Sequence, residues 1–127
     1  MQVEALCRAA VDALEDIKAE DIVVLDVQSM SSLFDYIIVA SAESTRQTRA
    51  LVNNIQDKIK TLGGSIVGVE GEDSGEWVLV DLGDVIVHVM QPAVRAYYNL
   101  EQLWGGETPQ PESALMAGGA ADRSSLG

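Results

Sequence analysis

Apolar residues in the first part of the chain repeat at the spacing of an α-helix. Five of them return every three or four positions and share one face: Val3, Leu6, Ala10, Leu14 and Ile17. Acidic residues such as Asp12 and Glu15 fall on the other faces. This pattern predicts an amphipathic helix over about residues 3–18, with one side in a core and an acidic side in solvent.

Two short runs rich in β-branched residues follow, at residues 22–27 and 36–40, and their nearly continuous apolar character is typical of buried strands. Ser44 and Gln47 then have the spacing of a capping box, and an apolar stripe continues to Leu62. We therefore predict a second helix that Ser44 caps and that ends at Gly63. A phosphate site at this junction is disfavoured, because Glu43 precedes the cap and no glycine is present.

Residues 65–69 predict a third strand, and residues 76–81 and 84–90 then alternate on both sides of a two-residue break, which predicts a β-hairpin. Direct pairing across the break places Asp81 opposite Asp84 and Trp77 opposite His88. The two carboxylates would repel each other, so we expect a cation or a hydrogen-bond donor beside them, unless they form a solvated turn.

The two faces of this hairpin differ in character. One is entirely valine and is predicted to be core, whereas the other mixes Trp, Leu, Ile, His and Met with carboxylates. The mixed face either lies beneath a helix or is partly open, with Trp77 and Met90 as anchors for a partner. His88 is accordingly either a satisfied, partly buried histidine or an interface donor whose charge depends on pH near neutrality.

Pro92 suits the first turn of a last helix, whose apolar face includes Tyr97 and Trp104. Tyr98 falls off that face and is either rim packing or an exposed contact. The order of elements predicts a single-domain α/β sandwich over residues 1–104, with a mixed five-stranded sheet and three main helices. Residues 105–127 contain no aromatic residue and are rich in Gly, Ala and Ser, so we expect a flexible tail.

Charge narrows the class of partner. The net charge is −12, and six acidic residues but no Lys or Arg lie between Ser65 and Gln91: Glu70, Glu72, Asp73, Glu76, Asp81 and Asp84. Because nucleic-acid binding requires clustered basic residues, we expect no direct contact with nucleic acid and favour a basic protein partner.

We also expect a cytoplasmic protein, since no run is long enough to span a membrane and the N-terminus lacks the basic and apolar regions of a secretory signal. Cys7 is the only cysteine, which excludes an intrachain disulfide, and it is predicted to be a small buried apolar residue.

Paired carboxylates could hold Mg²⁺ for nucleotidyl transfer, but that chemistry requires convergent side chains and basic residues for the phosphates. Asp81 and Asp84 flank a turn without nearby bases, and no spacing links them to Asp26 or Asp35. His88 has no second His or Cys for a zinc site. We therefore expect no catalytic residue, no metal and no cofactor.

Residues 77–90, which read WVLVDLGDVIVHVM, closely resemble the central motif of the Iojap or ribosomal silencing factor (RsfS) family. The sequence YNLEQLW at residues 98–104 also matches, and the resemblance spans about residues 2–104. It implies a nucleotidyltransferase-like fold without catalysis. It also implies binding to the large ribosomal subunit through ribosomal protein L fourteen, which hinders joining of the small subunit and represses translation when nutrients are scarce. Relatives often have Gly-Thr-Ser where this chain has Ala42-Glu43-Ser44, which weakens any inherited phosphate site.

The resulting hypothesis is a docking site of apolar anchors ringed by acidic residues, with His88 beside them. The predicted anchors are Trp77, Leu82, Met90 and Tyr98, and the predicted acidic ring is Glu70, Asp73, Asp81 and Asp84. Two alternatives stay open at this point: a small metal-dependent nucleotidyltransferase, and a homodimeric scaffold without a ribosomal role. A homodimer of the free protein is also compatible with the docking hypothesis.

Overall fold

The computed structural model describes residues 1–104. Helices and strands alternate along this part of the chain in the order α1 (Val3–Asp16), β1 (Glu20–Asp26), β2 (Tyr36–Ser41), α2 (Thr45–Thr61), β3 (Gly68–Glu70), β4 (Trp77–Asp81), β5 (Val85–Met90), α3 (Pro92–Tyr98) and α4 (Leu100–Trp104). The predicted last helix is thus present as two short helices, because Asn99 adopts a left-handed conformation between them. The predicted tail at residues 105–127 lies outside the described residues.

The five strands form one mixed sheet in the order β1-β2-β5-β4-β3. Strands β2 and β5 are parallel, and the other neighbouring pairs are antiparallel. The predicted fold class, a single α/β domain with a mixed five-stranded sheet, is confirmed. Both edges of the sheet are irregular: β3 has only three residues, and the pairing of β1 shifts between Glu20 and Val23.

The valine face of the hairpin lies in the main core, as predicted. Helices α1 and α2 pack on this side of the sheet, with Leu14, Leu51 and Ile55 fully buried against the strands. The valines that they cover are Val78, Val80, Val85, Val87 and Val89. Both helices present the predicted apolar stripe to the sheet. The outer side of α1 is mainly acidic, as predicted, whereas that of α2 carries Arg46, Arg49 and Lys60.

A second, smaller core lies on the opposite face of the sheet. Its buried centre consists of Leu25, Val27, Ile37, Val39 and Met90. Three side chains of α3 and α4 pack on it, and Trp104 also meets Phe34 edge to face with ring centroids 5.6 Å apart. Since α3 and α4 together are short, they cover mainly the part of this face formed by β1, β2 and the end of β5.

The register of the β4–β5 hairpin differs from the prediction by two residues. Trp77 pairs with Met90 and Asp81 pairs with Ile86, so the predicted pairs of Asp81 with Asp84 and of Trp77 with His88 are wrong. A shift of two keeps every side chain on its predicted face, because the side-chain period of a strand is two.

The cause of this shift is the hydrogen bonding of the turn. The N–H of Leu82 donates to the carbonyl of Val85 at 2.9 Å and Gly83 has a φ of +94°, so the two-residue turn is Gly83-Asp84 instead of the predicted Leu82-Gly83. The carbonyl of Asp84 also accepts hydrogen bonds from the N–H groups of Asp35 (2.7 Å) and Tyr36 (3.2 Å). The Asp81 carboxylate accepts a hydrogen bond from the N–H of Gly83 at 2.8 Å. The sequence predicted a cation or a hydrogen-bond donor beside Asp81, and the structure has a donor there, the backbone N–H of Gly83.

Among residues 1–104, no helix is both long enough and apolar enough to cross a membrane.

Gly71 provides a sharp test of the turn that precedes β4. Its φ is +89°, and a Cβ placed there would collide with the backbone carbonyl of Trp77. We expect Gly71→Ala to lower the free energy of unfolding by about 2 kcal/mol or more, because the carbonyl of a paired strand cannot move aside. Gly63 is the matched control: its φ is +90°, but no atom lies within 4 Å of the added Cβ.

For Gly63→Ala we expect a loss of about 1 kcal/mol, from the left-handed backbone alone. Urea unfolding of the two variants measures the difference between them. Equal losses would show that the turn can move to accommodate a side chain at Gly71.

Candidate partner-binding site

Within residues 1–104, α3 and α4 leave part of the second sheet face without a helix above it. Glu70 pairs with Leu79 and Leu79 with His88, so their side chains form a row across β3, β4 and β5 on that face. Asp81 and Ile86 form the neighbouring row. Leu79 belongs to neither core cluster and is partly exposed, whereas Ile86 and His88 beside it are buried, each 8% exposed. We call this region, formed by Glu70, Leu79, Asp81, Ile86 and His88, the open sheet surface.

Trp77 stands at the margin of the open sheet surface and holds its neighbours by direct contacts. Its indole Nε1–H donates a hydrogen bond to Nδ1 of His88 at 2.9 Å. Tyr98, at the end of α3, lies against the other part of the indole, with ring centroids 4.7 Å apart. The structure therefore brings together three of the predicted site residues, Trp77, His88 and Tyr98.

His88 is neutral at physiological pH. Burial lowers its pKa to about 4, because the charged imidazolium would lose its hydration. As Nδ1 accepts a hydrogen bond from Trp77, the ring proton lies on Nε2. Burial and the hydrogen bond from Trp77 bear out the interpretation of His88 as a satisfied histidine, and its lowered pKa argues against a charge that changes near neutrality.

Two of the predicted anchors are core residues and are not accessible to a partner. Leu82 is only 5% exposed and belongs to the core beneath α1 and α2, on the opposite side of the sheet. Met90 is fully buried in the second core, where Val94 and other side chains of α3 and α4 cover it. These two predictions were wrong because the exposure of a strand residue depends on which helix packs above it.

The predicted acidic ring is divided along the strand direction. Asp73 lies in the turn before Trp77, at the start of β4. Asp81 and Asp84 lie at the hairpin turn beyond the other end of this strand, and Asp81 follows Trp77 by four residues, or roughly 13 Å. Glu70, Asp73 and Asp84 are exposed, and Asp81 is partly buried by its bond to Gly83. The carboxylates thus border the open sheet surface at both ends without forming a closed ring.

An ion pair that the sequence did not reveal fastens α3 and α4 to the sheet. The Arg95 guanidinium donates to both carboxylate oxygens of Glu101, at 3.1 and 2.9 Å, and to the hydroxyl of Ser41 at 2.8 Å. The Arg95 side chain is 10% exposed and Ser41 is 3% exposed. Helical periodicity indicated only that Arg95 lies off the apolar face, since a contact with β2 leaves no local signal.

The capping assignment of Ser44 is confirmed. Its hydroxyl accepts a hydrogen bond from the N–H of Gln47 at 3.1 Å. The Gln47 amide oxygen in turn accepts from the N–H of Glu43, while its nitrogen donates to the carbonyls of Ile17 and Lys18. Gln47 thereby joins the start of α2 to the end of α1.

The carboxylates considered for metal chemistry do not converge. Asp26 pairs with Tyr36 on β2, and its side chain is on the face that α1 and α2 cover. Asp81 is on the opposite face, and two strands, β2 and β5, lie between the strands that carry the two residues. Within residues 1–104 there is no group of three or more His, Cys, Asp or Glu side chains with the geometry to hold a metal ion.

Comparison with known proteins identifies the class of this fold and site. The model of the family described as "Ribosomal silencing factor during starvation" (RsfS) matches residues 1–125, which extends beyond the resemblance seen in the sequence. The ribosomal silencing factor RsfS of Chromobacterium violaceum is 55% identical over 109 residues, covering 86% of this chain and 89% of the relative. RsfS of Bacillus subtilis is 41% identical over 105 residues, covering 83% and 89%.

A crystal structure of a Chromobacterium violaceum protein superposes with a TM-score of 0.82 and 51% identity, covering 92% of this chain and 98% of the other. The protein is thus of the class of ribosome-associated regulators of translation. The chain belongs to the ribosomal silencing factor (RsfS) family, as the sequence motif at residues 77–90 predicted.

The buried state of His88 predicts a specific loss of stability in acid. Its pKa is about 4 in the folded protein and near 6.5 when exposed, so the unfolded chain binds the proton more readily. Stability should therefore fall by about 2 kcal/mol between about pH 7 and pH 5. His88→Asn can still accept from Trp77 but does not titrate, so denaturant unfolding of this variant should show a much smaller change. An unchanged pH dependence in His88→Asn would contradict the assignment.

The ion pair between Arg95 and Glu101 predicts a local effect. Arg95→Met leaves the carboxylate and the Ser41 hydroxyl without their donor, and we expect a loss of about 2 kcal/mol. Amide hydrogen exchange should accelerate mainly in α3 and α4. Arg46→Met, at an exposed position of α2, is the control and should change neither quantity. A uniform acceleration across the sheet would show that the pair supports the whole fold instead.

Proposed function

We propose that this protein represses translation by occupying the large ribosomal subunit. It binds ribosomal protein L fourteen on the surface that meets the small subunit, and so prevents the subunits from joining when nutrients are scarce. Family membership supports the ribosomal role. The structural observation that carries the docking proposal is the open sheet surface, a part of the sheet that α3 and α4 leave uncovered and that carboxylates border at both ends.

Charge supports a basic protein as the direct partner. Between Ser65 and Gln91, the segment that supplies β3, β4 and β5, there are six acidic residues and no Lys or Arg. Such a surface attracts a basic protein over distance and repels the phosphates of ribosomal RNA. Within this surface, the partly exposed Leu79 provides apolar area that a partner can bury, in place of the anchors Leu82 and Met90 that proved to be core residues.

Size supports a mechanism by occupancy alone. A compact domain of 104 residues, the part that the structure describes, has a radius of gyration of roughly 13 Å, which is enough to keep two closely apposed surfaces apart. No chemical step and no cofactor take part in this mechanism. The electrostatic attraction accelerates binding, and the buried apolar contacts determine how long the complex lasts.

Charge reversal at the border of the open sheet surface should weaken the complex. We expect the double variant Glu70→Lys with Asp84→Lys to bind isolated large subunits about tenfold more weakly at low salt, and less than tenfold at high salt because exposed charges are screened. Asp81 is left intact because its carboxylate holds the turn. The matched control is Glu15→Lys with Asp57→Lys, an equal charge change at exposed positions of α1 and α2, on the other side of the sheet.

Co-sedimentation with separated subunits measures binding, and light scattering on mixing the subunits measures their joining. The wild type should slow joining, the control variant should slow it equally, and the Glu70 and Asp84 variant should slow it less. Equal effects of the two double variants would reject this surface. If the subunits join as fast with an excess of wild-type protein as without it, the mechanism is rejected.

Sedimentation of the protein alone tests the predicted homodimer.

A further inference from the structure

Three aromatic rings form a continuous group at one end of the sheet, next to the open sheet surface. Tyr98 lies against Trp77, and Tyr97 meets Tyr98 at an interplanar angle of 84° with centroids 5.0 Å apart. Tyr97 is 81% exposed and Tyr98 is 53% exposed. We call these three residues the aromatic cluster. The two tyrosine rings stand nearly at right angles, and Tyr97 is the more open of the two to solvent.

On the helix and strand that carry the aromatic cluster, α3 and β4, Arg95 is the only basic residue. Arg95 lies on the same helix as both tyrosines, but all three of its guanidinium nitrogens donate hydrogen bonds, two to Glu101 and one to Ser41. The strands on the other side of the cluster carry no Lys or Arg between Ser65 and Gln91. Exposed carboxylates, including Asp73 and Glu76, precede Trp77 in the adjoining turn. The local potential therefore favours a positive group.

We propose that the aromatic cluster binds a lysine or arginine side chain of the basic protein partner, with the cation against the faces of Tyr97 and Tyr98. This inference rests on the proposed function and specifies the chemistry at one end of the same site. A cation within about 6 Å of an aromatic centroid is attracted by the ring quadrupole, and the attraction grows when the pair is removed from water by docking. Carboxylates in the adjoining turn add to the attraction without themselves requiring a precise geometry.

The same rings could in principle stack on nucleotide bases. Single-stranded nucleic acid, however, is held by aromatic side chains together with a basic groove that follows the phosphates. Helices α3 and α4 contain one arginine, Arg95, and Glu101 neutralises its charge. The charge distribution thus favours a cationic side chain over a base.

A comparison of substitutions at Tyr98 separates a π interaction from simple apolar contact. Tyr98→Phe keeps the aromatic face, and its affinity for isolated large subunits should stay within about twofold of the wild type. Tyr98→Leu keeps an apolar side chain without the quadrupole, and its affinity should fall about tenfold. Leu103→Ala, at a 73% exposed position of α4, is the control for general loss of surface area and should have little effect.

Since Tyr98 also supports Trp77, the unfolding free energy of each variant is measured in parallel. Tyr97→Leu provides a second test, because Tyr97 is far more exposed and its loss should weaken binding without lowering stability. Equal binding by the Phe and Leu variants at position 98, with Tyr97→Leu also at wild-type affinity, would overturn the inference. So would tight binding of the wild type to protein-free ribosomal RNA that Tyr98→Leu abolishes. If the wild type does not bind large subunits at all, the proposed function itself fails.

Discussion

The burial of strand β5 on both faces is the constraint on which the rest of the domain depends. All six of its residues are buried, and it has β2 on one side and β4 on the other. A strand in that position needs a layer above and a layer below it. Helices α1 and α2 provide a complete layer on the valine side. The short pair α3 and α4 provides only a partial one on the other side, where Leu79 of the neighbouring strand β4 stays partly exposed.

The partial layer is held by a few strong contacts rather than by a large apolar area. Arg95 connects α3 to β2 through Ser41 and to α4 through Glu101. The same helix ends with Tyr98 against Trp77, whose indole N–H is fixed in turn by His88. Contacts from β2, β4, β5 and α3 therefore converge at one end of the sheet, so the candidate site is built on elements that are already rigid.

The sequence was sufficient for features that depend on local periodicity. The apolar stripes of α1 and α2, the cap at Ser44 and the valine face of the hairpin all follow from spacing alone, and all were predicted correctly. Features that depend on distant parts of the chain were not accessible. Arg95 finds its partner Ser41 on β2, more than fifty positions away in the chain. The burial of Met90 likewise depends on a helix that follows it, so no pattern within the strand indicated its position.

The irregular margins of the sheet have a consequence for how this protein meets other molecules. Strand β3 has only three residues, and the pairing of β1 shifts beside the acidic residues Glu20 and Asp21. Long flat edges invite main-chain pairing with foreign strands, and short or charged edges discourage it. Even at high cellular concentration the domain should resist edge-to-edge polymerisation. Its choice of partner is accordingly left to side-chain complementarity, which mutation can retune one position at a time.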